Sequence, residues 1–213
     1  MLKKIYVNII SMLARNELST NDDDVKLVFP NVDRDAPRSV EWLSGEVGHS
    51  TMLLMGNSEE DVNNIVNMPD DQKLIEERNR VKEFIEKPGE LNWTIQYKGN
   101  PVGAIWVDLK DKVIDLENGK KITLKGPSPH IMIGDIKARG KGIGPKASEA
   151  VMDYLLRDGE YSTIYTRART NNPRIINMLT SPESKYIFTE DGSAYTDEDG
   201  LEFQNFKYEV VSE

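Results

Sequence analysis

Six residues, Arg139-Gly-Lys-Gly-Ile-Gly144, constrain this chain more than any others. They lie between a strand-like segment, His130-Ile-Met-Ile-Gly-Asp-Ile, and a run from Pro145 to about Arg157 that sets Ala147, Ala150, Val151, Tyr154 and Leu155 on one helical face. Pro145 suits the first helical turn, where its missing N–H is not needed. Glycines at 140, 142 and 144 let the backbone bend sharply and bring its N–H groups close to an anion, while the following helix adds the positive end of its dipole. Such a turn suits a phosphate. It is not a P-loop, because Gly144 is followed by Pro145 and Lys146 and no hydroxyl is placed for magnesium. Nor is it a Rossmann fingerprint, which opens a series of βαβ units early in the chain, whereas this turn comes late and after hairpins.

The elements before and after the turn set its context. Val25 to Phe29 suits a first strand, and Asp35-Ala-Pro-Arg-Ser-Val-Glu-Trp-Leu reads as an N-cap and short helix with Trp42 in the core. An irregular stretch around Gly48, Gly56 and Asn57 leads to a helix over 70–86, which Pro88 and Gly89 end. Segments 91–97 and 102–109 flank Lys98-Gly-Asn-Pro as a hairpin. A second, smaller hairpin turns at Asn118-Gly119, a type I′ signal, within an insertion over 110–129. After the turn come a strand over 162–168, a short helix that Asn172-Pro173 caps and starts, and strands near 186–189 and 203–211.

Length and composition bound the rest. At 213 residues the expectation is a single domain over 1–213, with 1–24 as an N-terminal extension. No apolar run is long enough to span a membrane. Two lysines precede the apolar N-terminus, but Asn8 and Ser11 interrupt it and no cleavage motif follows, so a packed leading helix or strand is preferred to a signal peptide. The absence of cysteine excludes disulfides and a thiol nucleophile and fits a reducing, cytoplasmic setting, and two histidines leave little for a metal site. A net charge of −9 argues against nucleic acid as a partner and favours a cationic one, unless it serves solubility alone.

Arg139-x-x-Gly142-x-Gly144 resembles the R/Q-x-x-G-x-G/A signature with which GNAT N-acetyltransferases hold the pyrophosphate of coenzyme A. Asp35 to Trp42 is similar to the opening helix of the ribosomal-protein and aminoglycoside branches, and Asn171-Asn-Pro-Arg-Ile-Ile to the helix start that borders the CoA thiol. Together the matches span roughly residues 25 to 211. The resemblance implies an α/β (α+β) fold with a mixed, mostly antiparallel central sheet, splayed at the acyl-CoA site between strands 130–135 and 162–168 and flanked by helices. It implies acetyl-CoA as co-substrate, a primary amine as acceptor and direct transfer without a metal. A cationic small molecule such as an aminoglycoside or polyamine, or a protein N-terminus, fits as acceptor, and a homodimer through the last strands is an option.

Residue by residue, the same resemblance assigns cofactor binding to Met132 and Ile133, whose backbone pairs with the pantetheine arm, to the turn residues Arg139, Gly140, Lys141, Gly142, Ile143 and Gly144, and to Asn172. It puts His130 at the position of the acidic base, with Asp135 as second candidate; a strand-start histidine and a capping aspartate are the plainer readings. Glu46, Asp108 and Trp106 could shape an amine pocket, although Trp106 also suits the core. One departure stands out: Leu179 occupies the place of the tyrosine that protonates the leaving thiolate. Tyr186, Tyr165 or water could replace it. The same loss leaves open a non-catalytic, CoA-binding regulatory or assembly protein, and transfer of a longer acyl group is a further alternative.

Overall fold

The computed structural model describes residues 17–55, 57–157 and 160–210. The expected leading helix or strand at the N-terminus lies outside them. Strands β1 (Leu18–Ser19), β2 (Val25–Val28), β3 (Glu90–Tyr97), β4 (Asn100–Asp108) and β7 (Ser128–Ile133) form one antiparallel sheet in the order β1-β2-β3-β4-β7. A second sheet, β10-β11-β8, holds β8 (Thr163–Arg169), β10 (Tyr195–Thr196) and β11 (Glu202–Glu209), with the short β9 (Thr189–Glu190) also on β11. The mixed, mostly antiparallel α/β architecture expected from the sequence is the one observed.

Four helices connect β2 to β3: α1 (Val32–Trp42), α2 (Gly45–Leu54), α3 (Glu59–Val66) and α4 (Asp70–Glu86). The cap of α1 is Asn31, whose side chain accepts from the Arg34 N–H, and not Asp35. Asp35 lies inside the helix and buried, where its carboxylate accepts from the Asn31 N–H, the Arg34 guanidinium and Thr94 Oγ1. Burying a carboxyl group is costly without such partners, and these three supply them. The stretch read as irregular is helical twice over, in α2 and α3. Gly45 and Gly48 lower the local helix propensity, and what holds the pair is tertiary: Leu43, Met52 and Val62 bury a small apolar cluster of their own.

The larger core lies between the sheets and α5 (Ile143–Leu156). Leu91, Trp93, Ile95, Ile105 and Val107 meet Ala147, Val151 and Leu155, and Ile164, Ala168 and Phe206 close it from the second sheet. Residues of opposite parity point to the other face of the first sheet. There Glu90, Asp108 and Ser128 form one rung across β3, β4 and β7, and Asn92, Trp106 and His130 form the next. Phe84 of α4 packs edge-on against Trp106, so α1 and α4 cover this face. The inserted hairpin, β5 (Lys112–Asp115) with β6 (Lys121–Leu124), leans on the loop after β10 through the Glu117 N–H to Thr196 O and Glu198 N–H to Asp115 O bonds.

Candidate active site

β7 and β8 run side by side without forming a ladder. They touch at one end only, where the Tyr165 N–H donates to Pro127 O at 3.0 Å and Thr166 Oγ1 to Pro129 O at 2.9 Å. Beyond those contacts the strands belong to different sheets and diverge, leaving a wedge with the edge of β7 unpaired. Because the carbonyls of Pro127 and Pro129 point at β8, the period-two alternation turns the backbone groups of Ile131 and Ile133 to the same edge. Met132 O points the other way, towards β4, where it would lie 2.1 Å from a Cβ at Gly103. The backbone groups of Ile131 thus face the wedge, those of Met132 face β4, and the Ile133 carbonyl is taken up by Arg139.

At the open end of the wedge the chain turns through a 3-10 segment (Ile136–Ala138) into the glycine turn. Gly140 and Gly142 have φ of 74° and 73°, a left-handed conformation that favours glycine, and a Cβ at either would meet nothing within 4 Å. Gly142 is the N-cap of α5 and supplies no side-chain cap, and the first turn contains no acid. The turn thus presents unsatisfied N–H groups and a positive helix end to open space. Lys141 Nζ lies 5.4 Å from the Tyr97 ring centroid, and Lys146 forms an ion pair with Asp22. Ile143 is buried and anchors the turn to the core, whereas Gly144 lies beside Met178 and Ile131, where α5, β7 and α6 (Pro173–Thr180) converge.

Arg139 points inward. Its Nε donates to Ile133 O at 2.8 Å and its Nη2 to Thr51 Oγ1 of α2 at 2.8 Å. Burial and the neighbouring Arg174 push its pKa down from the usual value. Its side chain thereby braces the wedge, and the turn's backbone is left to meet an anion. Arg174 itself, exposed at the start of α6, forms no ion pair among the described residues. Asn172 caps α6 by accepting from the Ile175 N–H at 3.4 Å.

His130 lies on the covered face of β7, stacked on Trp106 with centroids 5.3 Å apart. Its Nε2 is 3.1 Å from Asp108 Oδ2 and 3.3 Å from Ser128 Oγ, so the ring carries its proton there and donates it to the carboxylate. Nδ1 then holds the basic lone pair and has no hydrogen-bond partner among the described residues. Asp108 is held well below the usual carboxylate range by hydrogen bonds from His130 and Glu90, which outweigh the upward push of burial. Glu90, opposite it in register, is pushed up to about 7 by burial first and by Asp108 second, against the pull of Lys87. Of the two, Glu90 is the one that holds a proton as the pH rises towards neutrality, and Asp108 stays ionised for His130.

The other candidates are occupied elsewhere. Asp135 accepts from the Lys137 N–H at 2.9 Å and from Arg38 Nη2 at 3.1 Å, which makes it the cap of the 3-10 segment and an anchor for α1. Tyr186 donates to Asp153 and packs edge-on against Tyr208, and burial and Asp153 push its pKa up. Leu179 is buried in the main core. Tyr165 lines a cleft with Ser128, Arg167 and Asn205 under the inserted hairpin. Glu46 is exposed in the first turn of α2. Glu90 carries no motif, and only the β3–β4 register reveals its tie to His130.

This is the architecture of the GNAT N-acetyltransferases: a central sheet splayed between two adjacent strands, with a glycine turn and helix at the mouth of the splay. Solved structures of that fold superpose on most of the chain. A ribosomal L7/L12 alpha-N-protein acetyltransferase, RimL, in complex with coenzyme A matches with a TM-score of 0.61 at 11% identity over 92% of this chain and 98% of the other. The microcin C7 self immunity acetyltransferase MccE, bound to acetyl-CoA and AMP, matches with a TM-score of 0.58 at 13% identity over 89% and 94%. The enzyme AAC(6')-Ib with ribostamycin and coenzyme A matches at 0.56, 17% identity, 88% and 94%. No protein-family model and no curated protein matches the sequence. Among the described residues no helix is long and apolar enough to cross a membrane.

Proposed function

We propose that the protein is an acyl-CoA-dependent N-acyltransferase that moves acetyl from acetyl-CoA to a primary amine. The observation that carries this reading is the wedge between β7 and β8 with the uncapped turn at its mouth. The N–H groups from Gly140 to Gly144 hold the pyrophosphate, and the free edge at Ile131 receives the amide-bearing arm as an added strand would be received. The likeness to acetyltransferases with bound coenzyme A supports the donor, and the open space at Gly140 and Gly142 favours an anion cradle over a packed corner.

The amine nitrogen attacks the thioester carbonyl. As the N–C bond forms, His130 Nδ1 takes the amine proton, and Asp108 stabilises the resulting imidazolium through Nε2. The C–S bond then breaks and the thiolate leaves. A thiol of ordinary pKa, near 8.5, needs no strong acid to depart at neutral pH, so water serves where Leu179 offers no hydroxyl. A non-catalytic CoA binder has the burial of Leu179 in its favour, and thiol release on adding amines separates the two.

Thermal shift with acetyl-CoA, coenzyme A and ATP tests the donor site. A ligand at about 100 times its Kd stabilises the native state by ~2.7 kcal/mol. The CoA compounds are expected to raise the Tm by several degrees, and Gly142→Glu, which sets a carboxylate in the cradle, removes the shift. A response to ATP alone would overturn the assignment.

A further inference from the structure

Where this chain spends its arginines is uneven. Arg34, Arg38, Arg78 and Arg80 each pair with a carboxylate. Arg139, Arg167, Arg169 and Arg174 gather around the wedge and, among the described residues, none of them forms an ion pair, in a chain of net charge −9. Arg139 braces the wedge, and Arg174 lies close enough to it for their charges to interact. The other two are left without an account.

Both lie on β8 at odd positions, whereas Ile164, Thr166 and Ala168 turn to the core side. Their face is the one that holds His130: Arg167 lines a cleft with Ser128, whose hydroxyl touches His130, and Arg169 Nη1 donates to Leu53 O of α2 at 2.9 Å. The guanidinium carbon of Arg167 sits 4.2 Å from the Phe203 ring centroid, and that of Arg169 sits 5.8 Å from the same ring. The ring holds Arg167 in close cation–π contact and Arg169 at its margin, and a guanidinium so placed offers N–H groups to a planar or tetrahedral anion. Arg169 Nε is buried without an acceptor, and Arg167 has only the weak contact of 3.4 Å to Tyr195 OH. An orphaned buried donor costs free energy unless something arrives to accept from it.

We propose that the acceptor carries an anionic group, a carboxylate or a phosphate, close to its amine, and that Arg167 and Arg169 receive that group on the His130 face of the wedge. This rests on the acyltransferase reading above and replaces the cationic acceptor suggested by the net charge. Asp191 lines the same cleft, yet both guanidiniums beside Phe203 lack an ion pair among the described residues. The anion anchors the acceptor and leaves its uncharged amine within reach of His130.

The test measures thiol release at saturating acetyl-CoA with free-amine Gly-Glu-Glu amide, Gly-Lys-Lys amide, O-phosphoethanolamine and spermidine. An anionic amine is expected to exceed its cationic counterpart in kcat/KM by roughly tenfold or more, the order of one charge-assisted contact. Whichever anionic probe leads tells carboxylate from phosphate. Arg167→Gln is expected to raise KM for that probe roughly tenfold with kcat little changed, and Arg167→Lys to recover part of the loss. Should Arg167→Gln fold poorly, competitive inhibition of the wild type by the N-acetylated form of Gly-Glu-Glu amide, and not of Gly-Lys-Lys amide, gives the same answer. Preference for spermidine or Gly-Lys-Lys amide, no turnover of either anionic amine, or an unchanged ratio in Arg167→Gln would overturn the proposal. Those outcomes leave the donor site standing; loss of CoA stabilisation is what removes the acyltransferase reading itself.

Discussion

His130, Asp108 and Glu90 form one side-chain network on adjacent strands, and its parts make separable predictions. Replacing His130 by Ala, or Asp108 by Asn, removes the base or its tautomer control and is expected to lower kcat about 10²–10⁴-fold, with the CoA-induced shift in Tm retained. Glu90 makes itself felt in stability. Its pKa in the folded protein, about 7, lies above the ordinary 4.5, so the native state binds its proton more tightly than the unfolded chain does. Stability from this group is therefore fully present below about 4.5 and is lost as pH rises through about 7. Asp108 works in the opposite sense, contributing above the ordinary carboxylate range and losing its contribution as pH falls. Glu90→Gln keeps a neutral hydrogen-bonding group at all pH values. Its Tm is expected to stay level from pH 5 to 8 while that of the wild type falls by a few degrees, roughly what 1–2 kcal/mol does to a domain of this size. Parallel melting curves for the two proteins would show that Glu90 is not the group that titrates.

At the scale of elements, the seam between the end of β7 and helix α1 leaves no room for a side chain. A Cβ on Gly134 would stand 2.5 Å from the Trp42 ring, and Trp42 is itself buried. Gly134→Ala is expected to cost about 1–3 kcal/mol through overpacking and, by pushing α1 off the end of β7, to weaken CoA binding as well. A variant with wild-type Tm would mean that Trp42 has room to move. The strand, glycine turn and helix around residues 130–156 were legible in the sequence because their signals are local: period, proline at the first turn, glycine where φ is positive. Helices α2 and α3 were not, since Gly45 and Gly48 argue against them and only the Leu43, Met52, Val62 cluster holds them. The division of the strands into two sheets was legible only through the family resemblance, because pairing across the wedge is a long-range property. Glu90 and Arg169 fall just outside the segments read as strands and Arg167 within one, and none carries a local signal until the register sets Glu90 opposite Asp108 and brings the arginines beside Phe203.

Across the whole molecule the two apolar clusters are unequal, and this shapes how the molecule opens. The main core joins both sheets to α5, whereas α2 and α3 share a cluster built on Leu43, Met52 and Val62. Their connection to the wedge is polar: Arg139 reaches Thr51 Oγ1 from the end of β7, and Arg169 reaches Leu53 O from the end of β8. The last turn of α2 therefore bridges the two diverging strands on the His130 face. An element held by a small cluster and a few part-buried hydrogen bonds opens at lower free energy than the sheet behind it. Amide hydrogen exchange is expected to show α2 and α3 exchanging well before β3, β4 and α5, with acceptor entry following the same opening. Met52→Ala removes the centre of the small cluster, at about 2–5 kcal/mol for a buried methionine. Its effect should fall on α2 and α3, speeding their exchange while the strands keep their protection. If Met52→Ala instead lowered protection evenly across α5 and the sheets, the four helices before β3 would belong to the main cooperative unit, and the bridge over the wedge would be a fixed wall.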